Sequence, residues 1–145
     1  GMITDENGIN IGQHDGLMYY TLGQRQGLKI GGVAHRPEAP WFTAKKNLED
    51  NILVAVQGHE HPLLMSKNLI AEQMHWVSGD PPAQQFSCKA KTRYRQPDQK
   101  CNVTISNDVV TIEFDDLQRA VTPGQSVVLY DGDVCLGGGI IVKYW

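Results

Sequence analysis

No apolar run in this sequence approaches the ~20 residues that a membrane-spanning helix needs. Met2 to Gly12 is polar and acidic, unlike the apolar core of a secretory leader. Both features point away from a membrane. Cysteine is scarce: Cys88, Cys101 and Cys135 form no C-x-x-C pair. An odd count argues against a complete disulfide framework and favours a reducing, cytoplasmic compartment. Positive charge is not in surplus, since the formal net charge is −3. The chain as a whole would therefore not attract nucleic acid, and any RNA contact must come from a local patch, because fields beyond about 10 Å are largely screened. No G-x-x-x-x-G-K-[ST] occurs, so Gly31-Gly32 and Gly137 to Gly139 are not phosphate loops. There is no internal repeat and no low-complexity tract.

What is present suits a globular protein. The 145 residues are 41% hydrophobic and 20% charged, enough for one ordinary domain or two small ones. Gly1-Met2 reads as a remnant of tag removal and is left out of the fold reasoning. Ile3 to Ile11 alternates weakly around Glu6-Asn7-Gly8, a hairpin signal. In His14 to Leu28, Asp15 can cap a short helix whose Leu17, Tyr20 and Thr21 share a face. Gly23 and Gly27 then bracket Gln24-Arg25-Gln26, either a plain turn or a presented polar loop. Gly31 to Pro40 reads as a surface loop. Trp41 to Lys45 and Ile52 to Gln57 read as strands, the second a continuous apolar run buried on both sides. His59-Glu60-His61-Pro62 breaks the pattern. Beyond it, strands fall at short spacing, with hairpin signals at Ser106-Asn107-Asp108 and Asp131-Gly132-Asp133. Gly137 to Gly139 predicts a bulged corner before a last strand. The fold class is mainly β: a small β module over residues 1–61, followed by an antiparallel β-barrel over 62–145.

Phe86 to Gln96 carries the strongest physical signal. Read as one strand, it places Phe86, Cys88, Ala90, Thr92 and Tyr94 on one face and Lys89, Lys91, Arg93 and Arg95 on the other. Four cations at period two, about 6.6 Å apart, form a ribbon that suits successive phosphates. Tyr94 adds a ring for stacking or a hydroxyl. The other reading is a solvated edge strand whose cations resist aggregation. Thr122-Pro123-Gly124-Gln125 fits a type II turn. His59 and His61 have a spacing that could ligate one metal, with His75 the only later histidine, but Pro62 favours a structural turn and no metal site. The cysteines sit in apolar strand contexts and read as buried and structural.

His14-Asp15-Gly16-Leu17-Met18-Tyr19-Tyr20-Thr21-Leu22-Gly23-Gln24-Arg25-Gln26-Gly27-Leu28 resembles a motif of the tRNA-specific 2-thiouridylases, the MnmA/TrmU family. The resemblance continues, in the family's order, through Pro40-Trp41-Phe42, Gln57 to Leu63, His75-Trp76-Val77, Lys91 to Gln96, Ala120 to Gln125 and Val134 to Ile140. It implies an enzyme that uses ATP, with Mg, and persulfide sulfur delivered by a sulfur-carrier protein to thiolate C2 of the wobble uridine of tRNA. It implies that Arg93, Tyr94 and Gln125 contact tRNA; Lys91, Arg95, Gln24 and Arg25 are further contacts suggested by position. The family's Ser-Gly-Gly-x-Asp-Ser signature is absent, and its two catalytic cysteines lie upstream of the matched region. The chain thus looks like the central and C-terminal parts of such an enzyme, with no catalytic residue and no cofactor of its own, inactive by itself. The competing reading is a translation-factor-like β-barrel that binds a protein partner.

Overall fold

The computed structural model describes all 145 residues. They form two compact units, Gly1–Met65 and Ser66–Trp145. No helix is long and apolar enough to cross a membrane.

The first unit is built on β1 (Met2–Thr4), β2 (Asn10–Gln13), β3 (Trp41–Asn47) and β4 (Ile52–Gln57), in the sheet order β2-β1-β4-β3. β1 pairs antiparallel with β2 and parallel with β4. Met2 belongs to this ladder, opposite both Gln13 and Ile52, and the amide of His14 donates to Gly1 O at 2.9 Å, so the first two residues are part of the packed unit. Strand side chains alternate between faces, so both faces of the sheet acquire an apolar layer. Ile3, Trp41, Leu53 and Ala55 pack with Leu17, Tyr20 and Leu28 from the 14–28 stretch. Phe42, Ala44 and Val56 pack with Leu64 on the other side. That explains the continuous apolar run in β4.

The 14–28 stretch has only a single 3-10 turn, Leu17–Tyr19, and Asp15 does not cap it. Gly16 holds the cap position, where φ is 147°, and its amide donates to Nδ1 of His14 at 3.1 Å. With Nδ1 accepting, the proton sits on Nε2, which donates to Asn51 O at 2.9 Å. His14 thereby welds the stretch to the β3–β4 turn.

The second unit is a closed barrel of β5 (Met65–Trp76), β6 (Gln85–Lys91), β7 (Gln99–Ser106), β8 (Val109–Arg119), β9 (Ser126–Asp131) and β10 (Val134–Tyr144), in the order β10-β5-β8-β7-β6-β9. Its interior is filled at period two by Cys101 and Val103 from β7, Val110, Ile112 and Phe114 from β8, and Val127 and Leu129 from β9. Asn107 and Asp108 have φ of 49° and 65°, so a two-residue turn joins β7 to β8. Gly137 to Gly139 form no corner. They lie within a single strand, β10, whose register shifts between Cys135 and Gly137 and again between Gly138 and Ile140.

Candidate nucleic-acid interface

The basic ribbon is only half formed. β6 ends at Lys91, so Lys89 and Lys91 lie on strand and Arg93, Tyr94 and Arg95 on the turn that follows. The cause is local. The Thr92 amide and hydroxyl both donate to Oε1 of Gln96 at 3.1 Å, and the Gln96 amide reaches back to Arg93 O at 3.3 Å. Pro97 then offers no N–H for a ladder. The turn lifts Tyr94 clear of the barrel, 94% exposed, with Arg93 and Arg95 exposed on either side.

The edge-strand reading fails as well. β6 is paired with β9 over Lys89–Lys91 on one side and with β7 as far as Ala90 on the other, so its lysines guard no open edge. Lys89 lies directly opposite Lys100, an arrangement that disfavours a ladder. Lys91 places Nζ 5.3 Å from the centre of the Tyr130 ring.

A second connection, residues 120–125, meets this turn. Nη2 of Arg93 donates to Ala120 O at 3.1 Å, and the Thr122 hydroxyl donates to the same oxygen at 2.9 Å. Gly124 has φ 90° and the Gln125 amide donates to Thr122 O at 3.2 Å, as a type II turn requires. Gly124 N–H donates to Ile141 O at 2.7 Å, and Ile141 N–H to Gln125 O at 2.8 Å, which pins the turn to β10 and leaves the Gln125 side chain exposed. An amide relay adds a second tie: Nε2 of Gln96 donates to Oε1 of Gln118 at 2.9 Å, while Nε2 of Gln118 donates to Asp116 O at 3.0 Å. Gln118 is buried. Arg119, beside it, has its guanidinium pKa lowered by burial and by the nearby positive charge of Arg93. Neither Gln118 nor Arg119 stood out in the sequence; the signal was a polar pair at the end of an otherwise alternating strand.

The topology gathers charge at one rim. Neighbouring strands of the barrel run antiparallel, so the C-terminal ends of β6, β8 and β10 share a rim with the N-terminal ends of β5, β7 and β9. All lysines and arginines of the second unit lie within three residues of that rim or in its connections: Lys67, Lys89, Lys91, Arg93, Arg95, Lys100, Arg119 and Lys143. Asp98 is the one acid in those connections and Asp116 lies within three residues of the end of β8, with Asp115 one residue further from the rim. Asp80, Asp108, Asp131 and Asp133 sit at the opposite end.

The remaining sites read differently. His61 caps the 3-10 turn Pro62–Leu64, its Nδ1 accepting from Leu63 N at 3.1 Å. The His59 ring packs edge-on against Phe42. No group of three or more His, Cys, Asp or Glu side chains converges on a metal site. Gln24 is spent on its own loop: Oε1 accepts from Thr21 N at 2.9 Å and Nε2 donates to Gln26 O at 2.8 Å. Arg25 is exposed. Cys101 is buried and Cys88 half-buried, but Cys135 is exposed, because it lies beside the β9–β10 turn, outside the packed interior.

Residues 66–141 match the family model described as an aminomethyltransferase β-barrel domain, and residues 1–57 the model described as a tRNA methyl transferase PRC-barrel domain. The chain is 64% identical over 143 residues to the tRNA-specific 2-thiouridylase MnmA of Francisella philomiragia subsp. philomiragia. The MnmA of Francisella tularensis subsp. novicida is 64% identical over the same length. The chain belongs to the tRNA-specific 2-thiouridylase family. The matches cover 98% of this chain and 40% of each thiouridylase, so the chain spans about two-fifths of those relatives. The two matched models fall on either side of residues 58–65, where one compact unit gives way to the other.

Proposed function

We propose that this chain is the tRNA-binding and positioning portion of a tRNA-specific 2-thiouridylase, with Arg93, Tyr94 and Gln125 as its contacts. On this reading residues 1–61 are the central module and 62–145 the C-terminal barrel. The observation that carries it is the clasp of Arg93 on Ala120 O, which ties the turn presenting Tyr94 to the connection presenting Gln125. An RNA strand laid across this rim would meet guanidinium groups for phosphates, one ring for a base or sugar, and one side-chain amide. Lys91 and Arg95 extend the same surface; Arg25 lies in the other unit, and Gln24 is committed to its own loop.

The chemistry belongs to the whole enzyme: ATP with Mg activates C2 of the wobble uridine, and persulfide sulfur from a carrier protein replaces the oxygen, in the cytoplasm. The residues here do not fit ATP or Mg, since neither a phosphate loop nor a converging acidic set is present. No chemical step is assigned to them.

Binding of the chain to tRNA, followed by fluorescence anisotropy over a salt series, tests the reading. Affinity that falls steeply with salt supports it. Absence of tRNA binding at low salt, with capture of a protein partner instead, supports the translation-factor-like reading. Incubation with ATP, tRNA and sulfide should yield no thiouridine above a protein-free control.

A further inference from the structure

Cys88 and Cys101 face each other across the β6–β7 ladder, with their Sγ atoms 3.7 Å apart. Residues directly opposite on one face of an antiparallel pair are the nearest neighbours a sheet provides. Cys88 is half-buried and Cys101 is 2% exposed, so only Cys88 meets reagents from solution. Lys89 and Lys100, the next pair along the ladder, point to the opposite face of the sheet, away from the two thiols.

We propose that Cys88 and Cys101 form a dithiol modification site, converted to a cross-strand disulfide by low-molecular-weight disulfides of the glutathione class. This goes beyond a structural role for the two thiols and does not depend on the tRNA reading. Cys88 thiolate attacks one sulfur of the oxidant, breaking its S–S bond and expelling one thiolate. Cys101 then loses its proton and attacks Sγ of Cys88. The mixed disulfide breaks, and the second small thiolate leaves. Two protein thiols are oxidised and one small disulfide is reduced to two thiols. Closing from 3.7 Å to a bond of about 2.05 Å needs only side-chain adjustment at a ladder position that already pairs the two backbones. Hydrogen bonding from Cys101 lowers the Cys88 pKa, against burial and the charge of Asp131. The same contact and burial raise that of Cys101. The attacking and resolving thiols are distinguished by access, since Cys88 is half-buried and Cys101 buried. The bond would tie β6 to β7 just below the connection that carries Arg93 and Tyr94.

The probe is oxidised glutathione on the folded chain, followed by alkylation of remaining thiols, digestion and mass spectrometry. The expected product is a Cys88–Cys101 linked peptide lighter by two hydrogens, with Cys135 carrying glutathione or alkyl. In Cys101→Ala, glutathione should remain on Cys88; in Cys88→Ser, Cys101 should stay unmodified while Cys135 reacts. Circular dichroism checks that both variants fold, and the wild-type result stands alone if either does not. Glutathione that stops on Cys88 of the wild type overturns the proposal. So does a link to Cys135, or a pair of intact thiols where Cys135 is fully modified.

Discussion

Thr43 is fully buried in β3, and its hydroxyl has no hydrogen-bond partner, although its amide and carbonyl are both engaged by the 23–24 segment. Valine has the same branched shape without the polar atom. Thr43→Val should therefore raise stability by about 1 kcal/mol, read as a higher urea midpoint; a lower midpoint would show that the hydroxyl is satisfied in solution. Asp5 is the opposite case, a buried carboxylate with every need met. Oδ1 accepts from the Asn7 and Ile9 amides at 2.9 Å, and Oδ2 from Nη2 of Arg36 at 3.0 Å. Burial pushes its pKa up, but the two amides and the guanidinium outweigh that and hold it below the ordinary carboxylate value. A depressed folded pKa contributes stability above the unfolded value of about 3.9, which is lost as pH falls through the folded one. Urea midpoints should thus drop below about pH 4, and Asp5→Asn should flatten that part of the profile. Parallel profiles for the two proteins would contradict it. The sequence marked Asp15 as the capping acid because it precedes an apolar run. It gave no hint of Asp5, whose partner Arg36 lies 31 residues on. Gln24 shows a related point: a polar side chain between glycines can serve its own backbone as well as a ligand.

At the scale of elements, alternation located nearly every strand but not where β6 stops. Phe86 to Gln96 keeps its period of two past Lys91, and only the side chain of Gln96, which folds back onto Thr92, ends the strand. A side-chain-to-backbone bond of this kind leaves no mark on periodicity. Hairpins were legible where turn chemistry is restrictive, as at Asn107-Asp108 and Gly132. The glycine run was half legible: the bulge was visible, but a closed barrel needs it inside a continuous strand. Gly137 has φ 156°, and a Cβ there would run into His75 O, with the Trp76 Cα at 3.1 Å. Gly137→Ala should cost about 1–3 kcal/mol by forcing β10 away from β5. Amide exchange should then accelerate along both strands, whereas an unchanged urea midpoint would mean that the bulge adjusts without strain.

For the whole molecule, the sequence motifs named the family, and closure of the barrel explains why a chain of net charge −3 can still present a cationic surface. Alternating strand directions send the Lys- and Arg-bearing ends to one rim and Asp80, Asp108, Asp131 and Asp133 to the other. Within a Debye length of about 8–10 Å, a phosphate sees the rim and not the total. No linear pattern displays that sorting, because it needs the strand order. The account rests on this rim holding tRNA, with Arg93 at its centre. Tyr94→Ala should weaken binding by about 1–3 kcal/mol if a base stacks on the ring, with Tyr94→Phe close to wild type. Gln125→Ala should weaken binding with little change in salt dependence, because an amide displaces no counterion. The most direct measurement is the slope of log affinity against log salt for tRNA binding by a full-length thiouridylase carrying Arg93→Ala. The account predicts a slope shallower by about one unit, with affinity reduced alike across tRNA sequences; a slope and affinity equal to wild type would contradict it.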